Sequence, residues 1–372
     1  MANPEQEQVA EFIATQLAEV RPGATRCEPD LTFTDAEGMG RYVLAELDKL
    51  PEGYLELGAR METGLGILAP GTDLGTALVE MYSANVAGFF DPVTNQMLLQ
   101  EQIHDDELLA VLRHELVHCQ QHATWDLVPL ADVELGNNDA AQGRHLLIEG
   151  DAELTRMALD ADPAQVPDEY WAEVLHGWLG MSSPRTDHRI WLRESVLGYS
   201  IGTAVLAKLY SEKGWSAVDA WYLDPPVSTE QLLHYDKLVA RELPVVIQVV
   251  EARAGEIKPG VSPSFSDTLG EGRLIAMFME GHPLNKALAC AAGWGGDRLF
   301  VLDQGEEIPT VVGQIAWDSV SDAKQGERCL RDFFDRHLHD NATVQRKRDR
   351  LVFVTANPRD SALMARAWKA FE

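Results

Sequence analysis

The sequence lacks any apolar run long enough to cross a membrane. The longest ones, such as residues 243–247 (LPVVI), fall far short of the roughly 20 residues that a transmembrane helix needs. The first eight residues contain neither a basic segment nor an apolar one, and we therefore expect no secretion signal. These absences predict a globular, cytoplasmic protein without a membrane partner.

Cysteines are also scarce. The 372 residues include four, and no Cys-x-x-Cys pair occurs among them: Cys27, Cys119, Cys290 and Cys329. Such scattered positions are not typical of a zinc ribbon or of a disulfide framework. We expect free, buried thiols in a reducing compartment.

Basic residues are few relative to acidic ones. The chain has 31 Lys and Arg against 59 Asp and Glu, which gives a formal net charge of −28. A surface of this charge repels nucleic acid phosphates and anionic lipids, so we expect neither as a partner. A salt-rich habitat, basic substrates or solubility alone would each account for the charge.

Against this background, one short motif carries chemistry. His114, Glu115 and His118 form a His-Glu-x-x-His pattern, and an acidic turn followed by apolar residues at helical spacing precedes it. On a helix, His114 and His118 project from one face and can take two corners of a tetrahedral zinc site. Glu115 lies beside them as a candidate general base. The alternative is an ordinary helix with two incidental histidines.

A second helical segment follows at residues 145–159, and its Glu149 lies thirty-one residues after His118. It contains Glu149, Gly150 and Glu153, with apolar residues 146–148 just before them. Glu149 is the best candidate for a third ligand, and Glu153, one turn later, can accept the second N–H of a ligand histidine. A mid-helix glycine such as Gly150 is unfavourable by about 1 kcal/mol unless another helix packs closely there. The alternative is a solvated acidic face.

The two segments together resemble the gluzincin metallopeptidases, in which His-Glu-x-x-His is followed by Glu-Gly-x-Ala on a later helix. The resemblance covers roughly residues 80–160. It implies that His114, His118 and Glu149 bind Zn²⁺ and that Glu115 is the general base. Glu153 matches the acidic position that supports a ligand histidine, although thermolysin-like members usually have Asp there. Segments 214–234 and 292–298 are similar to uncharacterised bacterial proteins with the same motif.

The implied reaction is peptide bond hydrolysis, in which Glu115 activates a zinc-bound water. The tetrahedral oxyanion then needs a further donor. Gluzincins take it from a later Tyr or His, and the candidates here are His234, which we prefer, and Tyr199. The structural alternatives are a capping histidine and a half-buried tyrosine. His145, one turn before Glu149, is the next candidate ligand if Glu149 is not one.

Residues 85–99 predict a β-hairpin with its turn at 91–95. In zinc peptidases an edge strand above the active helix pairs with the extended substrate. By that resemblance Val86, Ala87, Gly88 and Phe89 are candidate substrate-binding residues, and Gly88 permits close approach of a backbone. A plain core hairpin is the alternative.

The overall prediction is an α+β fold: a mostly helical zincin-like metallopeptidase core with a small edge sheet, plus a C-terminal α+β module. We expect an N-terminal helical region at 1–75, a catalytic region at 76–254, a linker at 255–269 and the module at 270–372. The module's predicted elements are strands 298–302, 310–317 and 351–355 and helices 319–337 and 359–371. The basic residues 346–350 predict a solvated approach to the last strand.

Three functions fit these residues. The first is a zinc metallopeptidase with a peptide or protein substrate, and the absence of an exopeptidase-type motif favours an endopeptidase. The second is a zinc hydrolase of another amide or ester. The third is a non-catalytic zinc-stabilised scaffold or regulatory binding protein. A purely structural zinc site usually fills all four positions with protein ligands and needs no base, so Glu115 favours an enzyme.

Overall fold

A computed structural model describes residues 4–103, 105–133, 135–179, 183, 185–249, 256–258, 260–355 and 361–371. Its helices are α1 Pro4–Val20, α2 Ala36–Leu47, α3 Tyr54–Gly64, α4 Leu74–Asn85, α5 Asp105–Trp125, α6 Val128–Ala131, α7 Asn138–Ala158, α8 Asp168–Leu179, α9 Thr186–Ser195, a π-helix Gly198–Gly202, α10 Thr203–Lys213, α11 Trp215–Leu223, α12 Glu230–Leu233, α13 Tyr235–Ala240, α14 Gly270–Phe278, α15 Leu284–Ala291, α16 Val320–His337 and α17 Ser361–Ala370. A short 3₁₀ turn, Pro163–Gln165, precedes α8. The strands are β1 Asp30–Thr34, β2 Gly88–Asp91, β3 Gln96–Gln100, β4 Pro263–Asp267, β5 Trp294–Leu302, β6 Thr310–Trp317, β7 Ala342–Lys347 and β8 Arg350–Thr355. The predicted α+β class is confirmed.

The smaller sheet contains the predicted hairpin. β2 and β3 pair in antiparallel fashion, and β1 pairs with β3 in parallel, which gives the order β1-β3-β2 with β2 at an edge. Leu31 and Phe33 of β1 pack, with α1 and α5, onto the apolar cluster beneath this sheet. The N-terminal residues are therefore not purely helical, since one of their segments completes the sheet that carries the predicted substrate edge.

Gly150 is a point of close packing, as its place in a helix predicts. A Cβ at this position would lie 2.9 Å from the carbonyl carbon of Gly202, in the π-helix. The neighbour at Gly150 is therefore the π-helix rather than α5. Gly198 packs back onto α7 in the same way, because a Cβ there would lie 2.8 Å from the Cβ of Glu149. The two glycines hold the π-helix directly against the helix that carries Glu149.

The C-terminal module is built on a five-stranded antiparallel sheet of order β4-β5-β6-β8-β7. The predicted pairing of 298–302 with 310–317 is confirmed, as are helix α16 and strand β8. The linker prediction is wrong over residues 263–267, which form edge strand β4; residues 250–255 and 259 lie outside the described residues. The basic residues 346–350 are also not a plain approach to the last strand, because they form the end of β7, the two-residue turn 348–349 and the first residue of β8. The two strands of this sheet that the sequence did not predict are β4 and β7. Both lie at its edges, where polar side chains weaken the alternating pattern.

Buried charges join this module to the rest of the molecule. The guanidinium of Arg273, on α14, forms ion pairs of 2.6 Å with Glu62 on α3 and of 2.6 Å with Glu194 on α9. All three side chains are buried. Removal of one partner from such a buried cluster strongly destabilises the fold, because the charges of the remaining side chains are left buried without a counter-charge.

The prediction that the four cysteines are free thiols is wrong. Cys27 is disulfide-bonded to Cys119, and Cys290 to Cys329. The partners are 92 and 39 residues apart in the sequence, so tertiary packing brings them together and no local spacing indicates the pairing. Cys119 belongs to α5 and Cys27 to the segment after α1, so the first bridge links these two parts of the chain next to His118. None of the helices in the described part of the chain has both the length and the apolar content needed to cross a membrane.

Candidate metal centre

Helices α5 and α7 bring His114, His118 and Glu149 to one point. The Nε2 atoms of the two histidines are 3.0 Å apart. The Oε2 atom of Glu149 lies 3.1 Å from Nε2 of His114 and 3.4 Å from Nε2 of His118. All three side chains are buried, with 8–9 % of each residue exposed. The i, i+4 spacing thus places both imidazoles on one face, and α7 brings the carboxylate to the same face.

The spacing of these three atoms fits a tetrahedral ion. Ligand atoms at about 2.0–2.1 Å from a tetrahedral zinc lie about 3.3 Å from each other, which matches the observed 3.0–3.4 Å. Two imidazole nitrogens and a carboxylate oxygen are a donor set typical of zinc with an open fourth position. The three residues can therefore hold a metal ion.

Hydrogen bonds fix the orientation of His118. Its Nδ1 lies 2.9 Å from Oε1 of Gln121, which can only accept, so Nδ1 carries the proton and Nε2 presents its lone pair. The amide of Gln121 is itself oriented, because its Nε2 donates to Ile148 O at 3.0 Å and to Asp151 Oδ2 at 2.9 Å. Sequence reasoning missed Gln121, since the His-Glu-x-x-His motif ends at His118 and does not include it.

The chain of contacts continues from Asp151 to the N-terminal helix region. Arg21, which is 1 % exposed, donates to Asp151 and also to Thr155 Oγ1 at 2.8 Å. Its guanidinium lies between the rings of Trp125 and Trp215, 4.9 and 4.6 Å from their centroids. The free-energy cost of burying the Arg21 charge is offset by the cation–π contacts with the two tryptophan rings and by its carboxylate partners. Orientation of His118 thus depends on a residue almost a hundred positions earlier in the sequence.

Glu153 lies on the other side of His114, at a distance longer than a hydrogen bond, so its predicted role as acceptor for this histidine stays a prediction. Their Nδ1 and Oε2 atoms are 3.7 Å apart, and Arg156 holds the Glu153 carboxylate with two hydrogen bonds of 2.8 and 2.6 Å. Burial alone would lower the pKa of His114, but the carboxylates of Glu149 and Glu153 raise it to about 10. Burial works against ionisation of Glu153, yet Arg156 and His114 lower its pKa to about 2. The predicted supporting position therefore carries a stable negative charge.

Glu115 lies between the histidines and the edge strand. Burial raises the pKa of its carboxyl, and the two histidines oppose that shift. The Phe90 backbone N–H, on β2, is within hydrogen-bonding reach of the carboxylate. A Cβ at Gly88 would lie 3.3 Å from Cγ of Glu115, so the glycine lets the strand approach this side chain. The position of Glu115 is suitable for a base that acts on a molecule held between strand and histidines.

Of the four predicted substrate residues, which lie on or next to the sheet edge, Gly88 is the one that the structure places close to Glu115. Gly88 and Phe89 belong to β2, and Val86 and Ala87 form the connection from α4. The carbonyls of Val86 and Ala87 accept hydrogen bonds from the side chain and backbone of Gln100. Their binding of an extended peptide remains a prediction, and β2 is an edge strand of its sheet in the described part of the chain.

The two candidate oxyanion donors have different surroundings. The ring of Tyr199 stacks on His114 with centroids 5.2 Å apart, and its hydroxyl hydrogen-bonds with Glu149. Burial and the charge of Glu149 raise the pKa of Tyr199 well above its usual value, so it stays a protonated donor. The preferred candidate, His234, is directed elsewhere: its Nε2 lies 2.8 and 2.9 Å from the two carboxylate oxygens of Glu271. The structure thus brings Tyr199 to the metal ligands and His234 to a separate cavity.

His145 is the one further histidine beside the ligands in the described part of the chain. Its Nδ1 lies 3.6 Å from Oε1 of Glu149, and its side chain is 37 % exposed. It therefore contacts the oxygen of Glu149 that does not face the other two histidines.

A second group of carboxylates, on Glu230, Glu242 and Asp318, has a spacing that a metal would accept. The ammonium of Lys237 donates to all three, at 3.0 Å or less. Lys237 supplies the positive charge at this point, and we do not count it as a metal site.

Residues 260–368 match a family model described as a domain of unknown function (DUF8575), which covers the C-terminal module but not His114, His118 or Glu149. No curated protein and no solved structure matches the chain.

Proposed function

We propose that this protein is a zinc-dependent hydrolase that cleaves internal peptide bonds. The observation that carries the proposal is the convergence of three ligand atoms, 3.0–3.4 Å apart, next to a buried glutamate that faces an edge strand. A scaffold site would need neither the glutamate nor the unpaired strand beside it. When bound, zinc would supply a Lewis acid that activates water and polarises the scissile carbonyl.

The protein's own residues supply the remaining steps. Glu115 takes a proton from the attacking water and passes it to the leaving amine. The hydroxyl of Tyr199, kept protonated by its surroundings, donates to the oxygen that develops negative charge. The edge of β2 holds the substrate in an extended conformation through backbone hydrogen bonds, so that the bond to be cleaved lies above Glu115.

The test is turnover of a mixture of internally quenched fluorescent peptides by zinc-loaded protein. Glu115→Gln keeps the shape of the side chain and removes the base, and we expect it to lower kcat at least about 100-fold with zinc still bound. Glu107→Gln is the matched control, because Glu107 is an exposed glutamate on the same helix. Equal turnover by wild type and Glu115→Gln would refute the assignment of the base.

The same experiment separates the alternatives. Cleavage of simple ester or amide substrates but of no peptide would point to a different zinc hydrolase. Stoichiometric zinc with no hydrolysis of either class would favour the non-catalytic scaffold. In that case zinc removal would lower stability without the loss of any activity.

A further inference from the structure

A cavity of about 440 Å³, separate from the three candidate metal ligands, lies between the π-helix, α8, α12, α14 and α15. Its walls are mainly apolar: α8 contributes Trp171 and Leu175, the π-helix Ile201, and α15 Leu288. These four side chains are only half buried, so water can reach them. None of the three metal ligands is among the lining residues in the described part of the chain. Binding sites for small molecules are typically apolar cavities of about 300–1,000 Å³ with a few oriented polar groups.

One oriented polar group is present, on His234. Glu271, which is 1 % exposed, holds Nε2 of the imidazole with both carboxylate oxygens. Nδ1 has no hydrogen-bonding partner among the described residues. The other neutral polar side chain of the lining, Ser200, is already engaged, since its hydroxyl donates to Val196 O at 2.9 Å. An imidazole fixed by a buried carboxylate, with its second nitrogen free, is the group that can recognise a ligand here.

The charge around this nitrogen restricts the ligand. Glu271 lines the cavity, while Glu230 and Lys237, which also affect His234 electrostatically, form an ion pair with each other. The lining contains no Lys or Arg among the described residues, so a carboxylate or phosphate ligand would lie beside the Glu271 carboxylate with only the imidazole as a partner. A hydroxyl can both donate and accept, so it can bond Nδ1 in either protonation state of the ring. We propose that this cavity binds an apolar molecule with a single hydroxyl group, whose hydrocarbon part contacts Trp171, Leu175 and Ile201 and whose hydroxyl bonds Nδ1 of His234.

The proposal does not depend on the zinc chemistry, and its test uses zinc-loaded and zinc-free full-length protein. The probes are the isomers 1-octanol and 1-methoxyheptane, and they are compared from pH 6 to pH 10, because the ether oxygen can accept from a protonated Nδ1 but only the hydroxyl can donate to an unprotonated one. We expect isothermal titration calorimetry to give one site per chain and, at the alkaline end, about five- to tenfold tighter binding of the alcohol, as one hydrogen bond implies. Wild type that binds neither probe, or both equally over the whole pH range, would overturn the proposal.

Two variants make the assignment specific. His234→Leu combined with Glu271→Leu replaces the pair by apolar groups and leaves no buried charge unpaired, so it should bind both probes equally. Ala289→Phe places a large side chain at an exposed lining position and should weaken 1-octanol binding at least tenfold. Ala45→Phe, at an exposed position on α2, is the matched control and should bind as wild type does. Undiminished binding by Ala289→Phe would locate the alcohol elsewhere and refute the site.

Discussion

The proposed metal site on helices α5 and α7 and the C-terminal module both bury charged side chains, but hydrogen bonds satisfy those side chains in different ways. Around His118, the ligand atoms of three side chains face one point and the next hydrogen bonds lie behind them. In the module, Asp297 is 6 % exposed and accepts from the backbone N–H groups of Leu269 and Gly270, each at 2.8 Å, and from the indole of Trp294 at 2.9 Å. Both of its oxygens therefore accept hydrogen bonds from the protein, and the aspartate caps helix α14.

This comparison separates two sequence motifs of similar appearance. The His-Glu-x-x-His segment and the glycine-rich segment 292–298 both combine charged residues with restricted spacing. The first leaves lone pairs directed at a shared point, which indicates a ligand site. The second directs its carboxylate at backbone donors, which indicates a structural role. The satisfaction of hydrogen bonds, rather than burial or charge, distinguishes the two.

The largest expected effect on stability is at the junction of the C-terminal module with the rest of the molecule. Arg273→Ala would leave Glu62 and Glu194 buried without their cation, and we expect a loss of about 3–5 kcal/mol in the free energy of unfolding. Urea denaturation followed by circular dichroism would measure it. Arg336→Ala, at an exposed position on α16, should change stability by less than about 0.5 kcal/mol. Equal effects of the two variants would show that the buried ion pairs contribute nothing particular.

A smaller effect is expected inside the module. Asp297→Asn keeps one acceptor oxygen but directs an amide N–H₂ at donors, so it should lower stability by about 1–3 kcal/mol. Because this carboxylate is structural, zinc content per folded chain should not change. A variant that folds normally but loses zinc would break the distinction between the two regions.

For Gln121, in contrast to Asp297, we expect a substitution to change zinc affinity. Gln121→Leu removes the group that fixes the tautomer of His118, and we expect zinc affinity to fall about 10- to 100-fold. Competition with a chromophoric chelator would measure the affinity. Gln100→Leu, a glutamine on the nearby strand β3, should leave zinc affinity unchanged. If Gln121→Leu binds zinc as tightly as wild type, the orienting role of Gln121 is wrong.

The smallest effect concerns pH. Burial raises the pKa of Asp139 to about 8, although Thr229 donates to it, so the folded protein holds this proton more tightly than the unfolded chain does. Its contribution to stability is therefore fully present below the unfolded pKa near 4 and is lost as the pH rises through about 8.

Asp139→Asn mimics the protonated form and tests this assignment. Between pH 6 and pH 7, wild type should lose about 1 kcal/mol more stability than the variant does. Denaturation at the two pH values in the presence of a chelator would measure the difference, because the metal site is then equally empty in both proteins. Parallel pH profiles would mean that Asp139 is ionised in the fold.

The sequence predicted the elements that have strong periodicity. The spacing of His114 and His118, the apolar run before Glu149 and the alternation in β5 and β6 each indicate the structure that is found. Edge strands β4 and β7 were missed because their polar side chains weaken that signal. Strand β1 was missed for a related reason, since five residues between two helices carry little periodicity of their own.

Features that arise only from tertiary packing could not be predicted. The contacts of Arg21 with Asp151 and the pairing of Cys27 with Cys119 join residues about 90 or more positions apart. His234 follows a turn that fits an active-site position equally well, and only packing directs it to Glu271. The sequence specifies the ligands of the proposed zinc site more fully than it specifies the groups that orient them.

The most direct test of the zinc site is metal content, measured by mass spectrometry on wild type, His118→Ala and Glu149→Ala after reconstitution and removal of free metal. We predict one zinc per chain in wild type and none in either variant, with the variants still folded. Wild type without zinc, or Glu149→Ala with a full equivalent, would contradict the three-ligand centre.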